Sequence, residues 1–269
     1  GLKLGIDFKG GTSITIKSEN VLNKDELTKD IEKMEYTLEE IEFINDKDVI
    51  IKIDDSLSHE DVLTSEKYFQ EKYKAQTEIG VVSNVVKKQL VKNAFISVLV
   101  ASICIVLYIS FRFKFSFAIA AIIALIHDVF LIVAAFSLLQ LEVNSMFIAA
   151  ILSIIGYSIN DTIVTFDRIR ENIKEKKSNK ILAPNELKEA VNNSLNQTLG
   201  RSIVTTMTTL MPVISLIILG SHEIINFNIA LLIGLIAGVY SSIFIASQIW
   251  FMIEKHSSGK PIKKKWYEE

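Results

Sequence analysis

His127, Asp128 and Asp161 lie within long apolar stretches of this sequence, and Arg201 lies at the edge of another. An ionisable group at the centre of a membrane-spanning helix costs about 2.5–3.5 kcal/mol on insertion scales, so each one needs a partner or a function. Asp161 is either a proton-carrying carboxylate or a buried hydrogen-bond acceptor between packed helices. We favour the proton-carrying role because polar residues surround it.

Those polar residues form a stripe on the helix predicted to carry Asp161. At helical spacing the stripe comprises Ser153, Gly156, Tyr157, Asn160, Asp161 and Val164. Small and polar residues within a membrane span face other helices or water rather than lipid. The stripe therefore predicts a polar or aqueous route to Asp161.

Arg201 lies just before the next apolar stretch, which continues inward with Thr205, Thr206, Thr208 and Thr209. Helices joined by a connection on one side of a membrane lie antiparallel, so Arg201 and Asp161 are expected at similar depth. Burial opposes the charge of a carboxylate and a neighbouring arginine favours it. These opposed effects would let Asp161 take up and release a proton as the helices shift. The alternative is that Arg201 is an ordinary basic residue flanking a span.

His127 and Asp128 are adjacent in the middle of a second apolar stretch. A histidine titrates near neutral pH and could relay protons. The other possibility, which we favour, is a polar pair that fixes helix packing. The predicted supporting polar residues of the membrane region are Asn160, His127, Asp128, Thr205 and Thr209.

Five successive apolar stretches are long enough to cross a bilayer, whose core needs about 20 helical residues. Five such stretches in a row are not plausible core helices of a soluble protein. The sequence therefore predicts a polytopic α-helical membrane protein. The predicted spans are residues 94–111, 115–141, 143–166, 202–220 and 224–253.

Charge is concentrated outside these stretches. Residues 1–93 hold 14 Lys and Arg and 19 Asp and Glu, as expected of a water-soluble domain. Basic residues lie at 112–114, throughout the connection 167–201, and in the tail 255–269, whereas the alternate connections have none. By the positive-inside rule the basic segments are cytoplasmic and residues 1–93 are outside. An external domain of this size implies a further span before residue 1.

The external domain has alternating strand and helix patterns. Their order is strand, helix, strand, strand, helix, with a possible last strand, which predicts a small ferredoxin-like α+β unit. The predicted elements are residues 4–17, 23–36, 38–45, 49–54, 58–73 and 77–82.

Two features of composition exclude other classes of site. Cys104 is the only cysteine, so neither a disulfide nor a cysteine metal site is available. A formal net charge of −2 gives no reason to expect nucleic acid. In the last span, Gly234, Gly238 and Ser242 recur every four residues, which permits close helix contact within the bundle or with a partner subunit.

Several segments together resemble the SecF family of the bacterial Sec protein-export machinery, or the SecF half of a SecDF fusion. They are residues 5–12 (GIDFKGGT), 124–128 (ALIHD), 156–162 (GYSINDT), 166–172 (FDRIREN), 198–202 (TLGRS) and 205–210 (TTMTTL). The residues that match family signatures include Gly5, Asp7, Phe8, Gly10, Gly11, Thr12, Gly156, Asp167 and Arg168. The matches cover nearly the whole chain in the expected order.

The resemblance implies a bundle of the RND superfamily with six spans, of which the first is missing here. It also implies residence in the bacterial cytoplasmic membrane, a SecD partner, and action on unfolded polypeptides at the SecYEG translocon, driven by the proton motive force. The family's membrane carboxylate falls on Asp161 and its paired arginine on Arg201, while a further carboxylate belongs to SecD. No covalent catalysis, cofactor or metal is implied.

Two points depart from this pattern or compete with it. The connection around Ser178–Asn185 is longer than usual for the family. Alternative functions are a proton-driven exporter of small molecules, a non-transporting scaffold, and an intramembrane protease that uses Asp128 and Asp161. The exporter would need a large external apolar pocket, and no aspartyl-protease motif surrounds the two acids.

Overall fold

The computed structural model describes residues 1–176 and 183–257, which form two compact units. One unit comprises Lys3–Phe95 and Glu142–Ser145, and the other comprises the rest of the described chain. Most of the longer connection predicted around Ser178–Asn185 and nearly all of the predicted basic tail lie outside the described residues.

The first unit is a small α+β domain with a four-stranded antiparallel sheet of order β3-β4-β2-β5. Two helices, α2 and α3, connect the strands, which confirms the predicted ferredoxin-like unit. A second, two-stranded sheet pairs β1 with β6 in parallel. The elements are β1 (Lys3–Leu4), α1 (Ile6–Lys9), β2 (Gly11–Ser18), α2 (Lys24–Lys33), β3 (Leu38–Phe43), β4 (Asp48–Ile53), α3 (His59–Tyr73), β5 (Ala75–Val82) and β6 (Glu142–Val143).

The core of this domain follows from the two-residue period of its strands. Ile14 of β2 lies opposite Ile51 of β4, and Ile16 lies opposite Val49, with all four side chains fully buried. Leu27 and Ile31 of α2 and Phe69 of α3 are buried in the same cluster.

Helices α2 and α3 begin at polar caps. The Asn23 side chain accepts a 2.9 Å hydrogen bond from the Asp25 amide. Ser58 and Asp61 form a reciprocal capping box, in which each side chain accepts from the backbone amide of the other. These bonds satisfy amides that have no partner within the helix.

The prediction of one strand over residues 4–17 is wrong at its start. The short helix α1 interrupts it, and β2 begins only at Gly11. Gly10 and Gly11 both have positive φ values, 86° and 114°, which side chains with a Cβ rarely adopt. A Cβ on Gly11 would also lie 2.4 Å from the carbonyl oxygen of Ile53, so the glycine pair both turns the chain and permits a close backbone approach.

The second unit is a helical bundle. Within the described part of the chain, five helical segments are long and apolar enough to cross a membrane, which confirms a multi-pass α-helical membrane protein. The elements are α4 (Asn84–Arg112), whose first turns belong to the α+β unit, α5 (Phe115–Leu139), α6 (Ser145–Lys176), α7 (Pro184–Leu219), a 3₁₀ turn (His222–Ile224), α8 (Ile225–Tyr240), a π-helical turn (Ser241–Ala246) and α9 (Ser247–Ser257).

The segment 167–201, predicted as a connecting loop, is largely helical where it is described. Helix α6 continues to Lys176 and α7 begins at Pro184. The Glu186 carboxylate accepts a 2.9 Å hydrogen bond from the Ala183 amide, and proline at the first helical position removes an amide that would lack a partner. Leu187 of this extension is buried. The helix therefore keeps a packed apolar face outside the predicted membrane span.

The last helical segment packs tightly against α6 along the stripe of small residues. A Cβ on Gly234 would lie 2.0 Å from Ile154 Cδ1, and one on Gly238 would lie 3.2 Å from Ser158 Cβ. One turn further on, Ser242 Oγ lies 3.0 Å from Thr162 Oγ1. The predicted close contact is therefore made within the bundle.

Candidate functional site

Asp161 is buried in the helical bundle, with 8% of its surface exposed. It lies on α6, and its Oδ1 atom accepts a 2.6 Å hydrogen bond from Ser202 Oγ of α7. Its Oδ2 atom is buried and has no hydrogen-bond partner among the described residues. An ionised carboxylate accepts hydrogen bonds and cannot donate them, so one acceptor oxygen of this buried site is left without a partner from the described residues.

Arg201 precedes Ser202 on α7, and its guanidinium attracts the Asp161 carboxylate electrostatically. However, Arg201 forms no ion pair within residues 1–176 and 183–257, because no carboxylate oxygen there lies within 4.0 Å of its guanidinium nitrogens. Arg201 is exposed on the bundle surface. The serine thus makes the direct bond to Asp161, and the arginine acts from a greater distance.

The predicted polar stripe of α6 divides between two faces. Ser153, Gly156 and Asn160 are exposed, whereas Asp161 is buried. Tyr157 is half-buried, and its hydroxyl lies 3.0 Å from Thr206 Oγ1 of α7. Exposed polar residues within an apolar span are unfavourable against lipid. They indicate a face that contacts other helices or water.

Thr205 and Thr209 do not reach Asp161. Their hydroxyls donate 2.9 Å hydrogen bonds to the carbonyl oxygens of Arg201 and Thr205, one turn earlier on the same helix. Such bonds satisfy a hydroxyl locally and often bend a helix.

Asp128 of α5 forms a second buried carboxylate site, with 1% of its surface exposed. Its Oδ2 atom accepts hydrogen bonds of 2.7 Å from Ser158 Oγ and 2.8 Å from Ser241 Oγ. Its Oδ1 atom lies 3.2 Å from His127 Nδ1. Asp128 therefore joins α5 to α6 and to the π-helical turn.

Sequence reasoning missed most of the hydroxyls around the two acids. They are Ser158, Thr162, Ser202, Ser241 and Ser242, each almost fully buried. A usable signal existed for three of them: Ser158 and Thr162 recur at four-residue spacing on α6, and Ser242 extends the matching glycine stripe that packs against them.

The residues of the glycine-rich segment lie in the α+β unit. The Asp7 carboxylate accepts a 2.7 Å hydrogen bond from the amide of Ser145, the first residue of α6. An acidic side chain at a helix N-terminus satisfies an unpaired amide and complements the helix dipole. Thr12 is fully buried, and its hydroxyl donates to the Asp55 carbonyl oxygen over 2.7 Å.

Lys52 of β4 lies among three carboxylates of the α+β unit. Its ammonium group is 3.4 Å from both Glu40 and Glu42 and pairs closely with Glu142 of β6. Burial alone would lower the pKa of Lys52, but the hydrogen bond and charge of Glu142, with the other two acids, raise it above its usual value. The ion cluster thus stabilises the position of β6 beside β1.

Asp167 and Arg168 lie near the other end of α6. Asp167 is 3.8 Å from Arg112, while Arg168 pairs with Glu171 at 2.6 Å and donates to Gln197 Oε1. These residues are about half-exposed, which is typical of a solvated helix end with local ion pairs.

Comparison with known proteins places this arrangement in a family. Residues 63–256 match the family described as protein export membrane protein SecD/SecF, C-terminal, and residues 1–20 match the SecD/SecF GG motif. The second match contains Gly10 and Gly11, whose positive φ values are described above.

Curated relatives match over almost the whole chain. The chain is 44% identical over 268 residues to the protein translocase subunit SecDF of Bacillus subtilis, covering 98% of this chain and 35% of that protein. It is 35% identical over 271 residues to the protein translocase subunit SecF of Sebaldella termitidis, covering 98% of this chain and 85% of that one.

A solved structure has the same fold. The crystal structure of SecDF from Thermus thermophilus, titled a translocon-associated membrane protein, matches with a TM-score of 0.81 and 36% identity. The match covers 94% of this chain and 34% of that one, so the chain spans about a third of the fused relatives. With these matches the predicted resemblance is confirmed, and the chain belongs to the SecD/SecF family of protein export membrane proteins.

Proposed function

We propose that this chain is a SecF-like accessory subunit of the Sec translocase, which works with SecD and uses the proton motive force to promote protein translocation. The observation that carries the proposal is Asp161, a carboxylate only 8% exposed within a membrane-spanning bundle. One of its oxygens has no hydrogen-bond partner among the described residues. Such a group can gain or lose a proton with a large effect on local packing.

The electrostatics of the site support coupling between charge and conformation. When Asp161 is ionised, Ser202 donates to it and Arg201 attracts it. When it is protonated, the attraction to Arg201 is lost and α6 and α7 are held together less strongly. One charge crossing 100 mV yields about 2.3 kcal/mol, which shifts a two-state population roughly fiftyfold. That is enough to bias a moving domain, and repeated cycles would advance a substrate.

The exposed polar residues support a membrane partner. Asn160 on α6 and Arg201 on α7 are exposed, although lipid is a poor environment for both. In the fused relative from Bacillus subtilis the matched segment is about a third of the protein. We infer that SecD covers this face and supplies a further carboxylate. The remaining proposed partners are the SecYEG translocon, exported unfolded polypeptides and membrane lipid.

The proposed location is the bacterial cytoplasmic membrane, with the α+β unit outside and the C-terminus in the cytoplasm. Two basic residues where α4 ends and α5 begins, Arg112 and Lys114, support this orientation by the positive-inside rule. In this proposal the chain acts by proton-coupled movement and not as an enzyme.

Export into inverted membrane vesicles with an imposed proton gradient tests the proposal. The proteins compared are the wild type, Asp161→Asn, Arg201→Met and Glu175→Gln, a control that neutralises an exposed acid of the same helix. We expect the gradient-dependent part of export to be lost in the first two variants and kept in the control. Equal gradient-dependent export in all four would exclude the coupling and leave only a scaffold role.

A further inference from the structure

The last helical segment contains a π-helical turn beside the two buried acids. It covers Ser241–Ala246, between α8 and α9. Single π-helical turns within α-helices are uncommon and are found frequently at functional sites. Its first two residues, Ser241 and Ser242, are fully buried, so their hydroxyls can only bond to protein groups nearby.

Ser241 belongs to the Asp128 site. Its hydroxyl oxygen lies 2.8 Å from Asp128 Oδ2 and 3.1 Å from the carbonyl oxygen of Gly238. A serine hydroxyl has one proton to donate. Ser241 must therefore divide its donation between the acid and the carbonyl.

Ser242 belongs to the Asp161 site. Its hydroxyl oxygen lies 2.8 Å from the same Gly238 carbonyl oxygen and 3.0 Å from Thr162 Oγ1, and it is within reach of the Asp161 carboxyl group. In this arrangement Ser242 bonds to Gly238 and Thr162, and Asp161 Oδ2 has no partner among the described residues. A small movement of the Ser242 side chain toward Asp161, with its hydroxyl turned away from Gly238, would supply the missing donor.

The two serines are linked because they share one acceptor. If ionised Asp161 draws the proton of Ser242, the Gly238 carbonyl loses that donor and becomes a better acceptor for Ser241. Ser241 then donates less strongly to Asp128. Hydrogen bonds in a low-dielectric interior influence one another in this way.

We propose that Ser241 and Ser242 form a hydroxyl relay between the two buried acids, in which Asp128 is a positioning residue that sets how readily Asp161 exchanges its proton. The relay rests on the proposed function of Asp161. Four helices contribute titratable or charged groups around the relay: His127 and Asp128 of α5, Asp161 of α6, Arg201 of α7 and Tyr240 of α8. The ring centre of Tyr240 is 6.0 Å from that of His127. On α9, Glu254 is paired with Lys114.

The test is the pH profile of gradient-driven export, measured with the full chain and its membrane partners in inverted vesicles. Ser242→Ala removes a donor to ionised Asp161, so the midpoint of the profile should move to higher pH by about one unit, a tenfold change in proton affinity. Ser241→Ala should move it less in the same direction, because Ser242 is then held more firmly by Gly238.

Ser247→Ala is the matched control, since Ser247 is a fully buried serine of the same segment whose hydroxyl donates to the backbone carbonyl of Ile243. Its profile should superimpose on that of the wild type. Ser242→Thr keeps the hydroxyl and should restore the wild-type midpoint. If Ser242→Thr shifts the profile as much as Ser242→Ala does, the hydroxyl is not responsible and the relay is wrong.

A double-mutant cycle tests the link to Asp128. Asp128→Asn should shift the profile in the wild-type background and have little further effect in the Ser242→Ala background, because the relay is already broken. If Asp128→Asn shifts the pH profile equally in both backgrounds, the relay is wrong. The relay is also wrong if Ser241→Ala and Ser242→Ala both keep the wild-type profile. If Asp161→Asn itself keeps gradient-driven export, the proposed function fails, which is a separate result.

Discussion

The Ser202 hydroxyl donates a 2.6 Å hydrogen bond to Asp161 Oδ1 and so joins α7 to α6 at the residue next to Arg201. Asp161 is thus bonded to the arginine-bearing helix through a neutral donor. A change in the charge of Asp161 acts directly on the strength of that bond, because hydrogen bonds to ionised acceptors are roughly twice as strong as neutral ones.

Ser202→Ala should reduce gradient-driven export about tenfold, because a hydrogen bond to a charged group is worth about 1.5–3 kcal/mol. Export driven without the gradient should be unchanged. The control is Ser215→Ala, which removes an exposed serine of α7 whose hydroxyl bonds only to the Met211 carbonyl oxygen in the described chain. Equal losses in both variants would assign the effect to the helix in general.

Gly234→Ala should destabilise the bundle by about 1–3 kcal/mol, the usual range for overpacking. The new Cβ would lie 2.0 Å from Cδ1 of Ile154, which is itself buried. Gly200→Ala is the control, because nothing lies within 4 Å of its Cβ position and alanine favours a helix by about 0.5–1 kcal/mol. Thermal unfolding of the purified full chain in detergent measures both. A similar melting temperature for the two variants would contradict the close packing.

Gly11→Ala should destabilise the α+β unit by about 1–3 kcal/mol, since φ at this position is 114° and the Cβ would contact the Ile53 carbonyl oxygen. Gly80→Ala in the neighbouring strand β5 meets nothing within 4 Å and should be neutral or stabilising. Hydrogen exchange of β2 and β4 amides in the full chain distinguishes them. Unchanged exchange in Gly11→Ala would show that the backbone can adapt.

The Asp30 network predicts a pH dependence of the α+β unit. Asp30 is buried, and Tyr68, Lys72 and Tyr73 of α3 donate hydrogen bonds to it. Burial alone would raise the pKa of Asp30, but the bonds from Lys72, Tyr73 and Tyr68 hold it below its usual value. A lowered folded-state pKa adds stability above the unfolded value, about 3.9, and that stability is lost as pH falls through the folded value.

Wild-type protection of α2 and α3 from hydrogen exchange should therefore fall below about pH 4. The pKa of Lys72 is raised, so its contribution is lost only above about pH 10.4 and does not affect this range. Asp30→Asn should already be less stable at pH 7 by about 1–3 kcal/mol. Glu32→Gln, which changes an exposed acid of the same helix away from its N-terminus, should behave as the wild type, and matching losses in both would refute the role of the buried network.

Much of the fold could be predicted because it depends on patterns of polarity. Five uncharged or nearly uncharged stretches gave the bundle, and alternation around Ile14 and Ile16 gave the sheet. The interruption of the predicted strand by α1 and Gly10 was missed, because Phe8 before it and Ile14 and Ile16 after it continue the alternation of apolar residues. The helical extension at Pro184 was missed because its surface residues are polar, and only its buried face, with Leu187, shows that it packs.

The acids of the candidate site could be predicted, whereas their partners could not. An acid within an apolar stretch is rare and therefore conspicuous, but serine is common, and Ser202 and Ser241 have no distinctive spacing. The predicted stripe also placed Asn160 beside Asp161, although the two lie on an exposed and a buried face. The π-helical turn at Ser241 has no signal in the sequence, because its residues are equally compatible with an α-helix.

The central claim, that Asp161 takes up and releases a proton, is tested most directly by infrared difference spectroscopy of the full chain with its membrane partner between high and low pH. The wild type and Glu175→Gln should both show the carbonyl band of a protonated carboxylic acid that appears on acidification. In Asp161→Asn the part of the band that comes from this buried carboxylic acid should be missing, while the bands of the other acids remain. A band of unchanged intensity in Asp161→Asn would contradict the account.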